Sequence, residues 1–208
     1  MRYSAFVLLA ALAIGSADAH AANPYEVFRL GMSEAEIVAA AEAHGGVMFN
    51  PEEREGEPPR HLDNLRVLFG GIPMEEEQAG GMFIFEKDRL RQTRFDHYFM
   101  PHMEEAELTA VECREKFERI GKNLEAVYGK PARMHKKKGG SGNEIHETDI
   151  VWNSGATTVR ARMITHDMSH LYETPRCGMI EVRIFAGTES EQKEFGGRLP
   201  GLLLHSPQ

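Results

Sequence analysis

Two runs of histidine and methionine are the residues of this chain most obviously equipped for chemistry. His97, Met100, His102 and Met103 fall in His-Tyr-Phe-Met-Pro-His-Met, and His166, Met168 and His170 fall in His-Asp-Met-Ser-His. Imidazole mixed with thioether is a donor set that soft cuprous copper accepts. Against this, the chain carries 11 Met and 10 His, enough for such runs to arise by chance. Loop histidines are also ordinarily just solvated. Arg91, Arg94, Arg160, Arg162 and Arg183 form a second set, all on segments that read as strands. Guanidinium groups suit carboxylate-bearing partners through bidentate contacts. The competing reading is a solvated face whose arginines pair with Glu181 and its neighbours.

Motifs for catalysis are missing. His146-Glu147-Thr148-Asp149 lacks the second histidine of a zinc-protease helix, and Ser141 in Gly139-Gly140-Ser141-Gly142-Asn143 lacks the glycine of a nucleophile elbow. Lys136-Lys137-Lys138 runs into Gly139-Gly140-Ser141-Gly142 without the spacing of a phosphate loop, and reads as a flexible hairpin tip. A formal net charge of -8 repels phosphate backbones and anionic lipid surfaces, so nucleic acid is excluded as an expected partner.

The N-terminus reads as an export signal. Arg2 precedes the unbroken apolar run from Ala5 to Ile14, and the small-residue triplet Ala17-Asp18-Ala19 follows. Cleavage is expected after Ala19, or two residues later at the overlapping triplet Ala19-His20-Ala21. The apolar run is about half the length that spans a bilayer, and no cysteine near the sites accepts a lipid. A periplasmic or secreted protein with no membrane insertion after cleavage follows. In that compartment Cys113 and Cys177 are expected to pair, closing a loop of 64 residues. Two separate buried thiols are the other reading.

The elements that must position these residues begin with helices. Ser33 caps a helix with Glu36 as the reciprocal acid, Met32 and Ile37 form its staple, and Gly45-Gly46 ends it. The device returns with Thr109, Glu112, Leu108 and Cys113. That second helix carries Cys113, Phe117, Ile120, Leu124 and Val127 on one stripe and stops at Gly129-Lys130-Pro131. Strand-like runs follow the first helix at Leu65 to Phe69, Met82 to Phe85 and Leu90 to Tyr98. Others follow the second at Asp149 to Trp152, Thr157 to Ile164 and Met179 to Ala186. Glu86-Lys87-Asp88-Arg89 and Asn153-Ser154-Gly155 are turn candidates. In the last strand Ile180, Val182 and Ile184 face one way and Glu181 and Arg183 the other. Cys177 has the parity of the polar side, an objection to its pairing with Cys113 that a bulge at Gly178 would remove by re-aiming it.

The stretch Phe28-Arg29-Leu30-Gly31-Met32-Ser33-Glu34-Ala35-Glu36-Ile37 resembles the opening of the BamE/SmpA-like domain, whose first helix follows a Gly-Met-Ser/Thr step. Tyr128-Gly129-Lys130-Pro131 is similar to the Gly-x-Pro that ends such a helix, and Phe83-Ile84-Phe85 to Leu90 resembles its aromatic hairpin. Two such units in tandem resemble the β-lactamase inhibitor protein fold. The resemblance implies a non-catalytic protein that offers a sheet surface to other proteins.

The sequence therefore leads to an α+β expectation: two tandem helix-plus-antiparallel-meander units, with helices packed on one face of the sheet. The expected divisions are a signal peptide at 1–19, units at 20–106 and 107–190, and a flexible tail at 191–208. The expected function is extracytoplasmic protein binding or inhibition through Arg91, Arg94, Arg160, Arg162 and Arg183, with another extracytoplasmic protein as partner and no cofactor. The alternative is copper or other metal binding through His97, Met100, His102, His166, Met168 and His170.

Overall fold

Local signals set the helices. In the computed structural model, which describes residues 23–49, 65–74, 77–99, 108–139, 144–167 and 172–191, three helices lie wholly within the described residues. They are α1 (Pro24–Val27), α2 (Glu34–Ala43) and α3 (Ala110–Tyr128). At α2 the Glu36 amide donates to Ser33 Oγ at 3.3 Å while Ser33 N–H donates back to the Glu36 carboxylate at 2.7 Å. At α3, Thr109 and Glu112 make the same exchange at 3.3 and 2.8 Å. Each exchange satisfies two orphan donors of a helix end. Helix α3 buries Cys113, Phe117, Ile120 and Leu124, and Val127 packs half-buried beside them. It stops at Gly129, whose φ of 77° is one that a side chain disfavours.

Eight strands follow: β1 (Val47–Phe49), β2 (Leu65–Met74), β3 (Glu77–Glu86), β4 (Arg89–Phe99), β5 (Arg133–Gly139), β6 (Glu144–Ser154), β7 (Thr157–Asp167) and β8 (Arg176–Ala186). All pair antiparallel in the order β1-β2-β3-β4-β8-β7-β6-β5. Lys87 and Asp88, both with φ near the left-handed region at 52° and 59°, make the two-residue turn from β3 to β4.

This architecture corrects the expectation of two helix-plus-meander units. The chain forms one continuous eight-stranded antiparallel sheet, because β4 and β8 pair from Gln92↔Phe185 to Phe99↔Met179. Left separate, each would expose an 11-residue edge of unsatisfied backbone groups. The main core correspondingly spans both halves: Phe28, Phe83 and Phe95 belong to the same buried cluster as Phe117, Trp152 and Val182. The rings of Phe28 and Phe83 meet edge-on with centroids 5.0 Å apart, and those of Phe83 and Phe95 at 6.0 Å. The recurring capping box marks two helix starts, not two units.

The lysine run is a second correction. Lys136, Lys137 and Lys138 lie within the regular ladder of β5 against β6, from Arg133↔Val151 to Gly139↔Ile145, and so precede the hairpin tip. The expected signal peptide falls outside the described residues.

Candidate functional site

Alternation along the strands sorts side chains onto two faces. Ile180, Val182 and Ile184 of β8 join the core cluster that holds the buried residues of α2 and α3. Glu181, Arg183 and Phe185 take the opposite face, as the period of two requires. On that opposite face β2 and β3 contribute a smaller buried cluster of Leu65, Val67, Met82 and Ile84 with Phe185. Beyond it the register lines up charged residues in two adjacent rows. One row is Arg94, Arg183 and Arg160 across β4, β8 and β7, continued by Val151 of β6 to Arg133 of β5. The next is Asp96, Glu181, Arg162 and Asp149 across β4, β8, β7 and β6.

Carboxylates hold these guanidinium groups. Glu181, only 3% exposed, accepts from Arg183 Nε at 2.6 Å and Nη2 at 2.9 Å, and Arg94 Nε lies 2.8 Å from it. Arg94 Nε also donates to Asp96 at 2.8 Å. Arg160 forks onto Asp149, Nε to Oδ1 at 2.9 Å and Nη2 to Oδ2 at 2.8 Å. Arg162 donates from Nε to Glu147 at 2.7 Å, with Nη2 on the same oxygen. In Arg160, Arg162 and Arg183 the contacts use the Nε and Nη2 side of the fork, leaving Nη1 without an intramolecular bond among the described residues. All four arginines remain partly exposed.

The structure thus brings Arg94, Arg160, Arg162 and Arg183 into one patch. Arg91 stands apart. It approaches Glu86 at 3.5 Å, lies 6.0 Å from the Phe185 ring centroid, and lines an open concavity of 740 Å³ with Thr158, Glu189 and Glu191. The patch members that the sequence did not place on this face are Asp96, Glu147 and Asp149. Glu147 and Asp149 were weighed only in the incomplete motif His146-Glu147-Thr148-Asp149, and Asp149 as the first residue of a strand.

The carboxyls differ in proton affinity. Burial raises Asp96 above the ordinary 3.8, with Arg94 only partly offsetting it. Burial is the largest single influence on Asp149 and acts to raise it, but hydrogen bonding with Arg160 and Glu147 and the charges of Arg160 and Arg162 together hold that carboxyl below 3.8. The signs are opposite. Ionised Asp96 costs stability at neutral pH, and the cost disappears as pH falls through its raised value. The contribution of Asp149 is complete above 3.8 and lost as pH falls through its depressed value. Glu36, Glu112 and Glu191 behave like Asp149, each held below 4.5 by hydrogen bonds from the residue it caps against. Carboxyl-carbon NMR titration is expected to show Asp96 protonating first and Asp149 last of the two. A reversed order would contradict the assigned environments.

The histidines are dispersed. His97 is buried, sharing a 2.6 Å hydrogen bond between its Nε2 and the Tyr25 hydroxyl. His166 lies on β7, with β8 between it and β4. A side chain at Gly178 would meet the His166 ring at 2.4 Å, and burial lowers the imidazole's proton affinity. Met100, His102, Met168 and His170 fall outside the described residues, as does Ser141. Among the described residues no group of three or more His, Cys, Asp or Glu is placed to hold a metal ion.

Cys113 and Cys177 form a disulfide, both fully buried, with Cα atoms 5.4 Å apart. The expected bulge makes this possible: pairing passes from Ile164↔Met179 to Thr165↔Cys177, skipping Gly178 and turning Cys177 to the core. A buried disulfide suggests an oxidising, extracytoplasmic location. No helix among the described residues is long and apolar enough to cross a membrane. No family model, curated protein or solved structure matches the chain, so function is read from its own geometry.

Proposed function

We propose that the protein acts in the periplasm or the external medium as a non-catalytic binding or inhibitor-like protein, presenting the arginine-bearing face of its sheet to another protein. The observation that carries this reading is the fixed array of Arg94, Arg160, Arg162 and Arg183, held on adjoining strands by their own carboxylates. Guanidinium groups already locked in place lose little rotamer freedom when a partner engages them. The Nη1 donors of Arg160, Arg162 and Arg183, unbonded among the described residues, suit carbonyl and carboxylate acceptors at contact. Four arginines balanced by Asp96, Glu147, Asp149 and Glu181 exert little long-range field, so the array selects by geometry more than by attraction.

Cross-linking in the native compartment, followed by mass spectrometry, is expected to capture one reproducible protein. Arg160→Ala with Arg183→Ala should reduce its yield about tenfold, the scale of one or two lost interface contacts. Capture of no reproducible partner, or a yield indifferent to both substitutions, would contradict the proposal.

A further inference from the structure

The arginine face is not the only surface the fold leaves open. Among the described residues strand β5 ends the sheet, and each residue from Arg133 to Lys138 is exposed. At the opposite end β1 spans only three residues, a far shorter ladder. Alternate residues of an edge strand point their N–H and C=O groups away from the sheet, ready to pair with another chain. Alternation also splits the cations: Lys136 stands opposite Thr148, and Lys137 opposite Glu147 on the other face. Lys138 pairs with Glu144 at 2.6 Å and Arg133 with Glu189. Lys136 and Lys137 have no ion pair among the described residues.

We propose that the outer edge of β5 is a second binding site, adjoining the arginine face through Lys137, that accepts an acidic extended segment of a partner protein as a ninth strand. Backbone bonds along β5 would supply affinity, and adjacent carboxylates of the incoming strand would meet Lys136 on one face and Lys137 on the other. The same lysines oppose a second copy of this chain, because two β5 edges brought together would align like charges. In a chain of net charge -8 this strand is also where an acidic segment finds local positive charge.

The probe is a fluorescein-labelled, eight-residue Thr/Val peptide with Glu at its two central positions; the control carries Lys there. Fluorescence anisotropy with the full chain is expected to show saturable binding of the Glu peptide and none of the control. Lys136→Glu with Lys137→Glu, two exposed substitutions checked for an unchanged melting temperature, should weaken the Glu peptide at least about tenfold and confer binding of the Lys control. Amide exchange should slow across 133–139 on binding. Any of these results overturns the proposal: no saturable binding, equal binding of the control, affinity indifferent to the double substitution, or slowing on the arginine face instead. Protection, in the free protein, of the β5 amides that point away from β6, or dimers through β5 by sedimentation, would show another occupant and equally overturn it. Arg160→Ala with Arg183→Ala leaves β5 untouched, so failure here and failure of the face proposal are separate results.

Discussion

Replacing Cys113 and Cys177 together by Ala is expected to lower stability by about 4 kcal/mol, the chain-entropy value for a closure of 64 residues. At this chain length that is a fall of roughly 8–16 °C in melting temperature. The bond fastens the first turn of α3 to the start of β8, where Cys177 N–H donates to Leu108 C=O at 2.9 Å and Ala110 N–H to Pro175 C=O at 2.8 Å. Those bonds survive the substitution, so the variant should fold in the same register and simply melt earlier. Wild-type protein reduced before melting should match it. Equal melting temperatures for oxidised wild type and the double variant would show that the bond contributes nothing.

Glu181→Ala should cost about 3 kcal/mol, the low end for removing one partner of a buried ion pair, because Arg183 and Arg94 stay partly exposed to water. Glu181 sits beside the β4–β8 seam, paired with Asp96 in register and bound by Arg183 and Arg94. Arg94 keeps Asp96 as an acceptor, so Arg183 bears most of the loss. Adding Arg183→Ala to Glu181→Ala should therefore recover part of the stability, a non-additivity that a denaturation cycle measures directly. Strictly additive costs would show that the two side chains do not interact.

Features set by near neighbours were legible in the sequence. Both capping boxes, the stripe on α3, the turn at Lys87-Asp88 and the inward parity of Ile180, Val182 and Ile184 depend on residues a few positions apart. The bulge at Gly178 was legible too, because the disulfide and the strand alternation could not both hold without it. Pairing of β4 with β8 was not, since nothing in either strand specifies a partner so distant in the chain. Reading each meander alone gave two units where the backbone makes one sheet. Strand ends also escaped notice: β2 and β3 continue through the paired glycines Gly70↔Gly81 and Gly71↔Gly80, which carry no strand propensity. Strand β5 was hidden by its lysines, whose solubility suits an edge as well as a loop.

The candidate site shows the same division. That Arg160, Arg162 and Arg183 share a face followed from alternation, and that Glu181 lies among them was visible. Their pairing with Asp149 and Glu147 depends on the β6–β7 register, Asp149↔Arg162 and Thr148↔Met163, which local pattern does not fix. The arginines are a positioned, charge-balanced array, paired with Glu181 and its neighbours as the competing reading of the sequence had it.

Photoreactive residues placed singly at Arg160 and Arg183 on the arginine face, and at Glu118 on the exposed side of α3, test the central claim most directly. In the native compartment the two face positions should cross-link to one and the same protein while the helix position gives none. Capture from the helix position alone, or from none of the three, would contradict a binding role for this face.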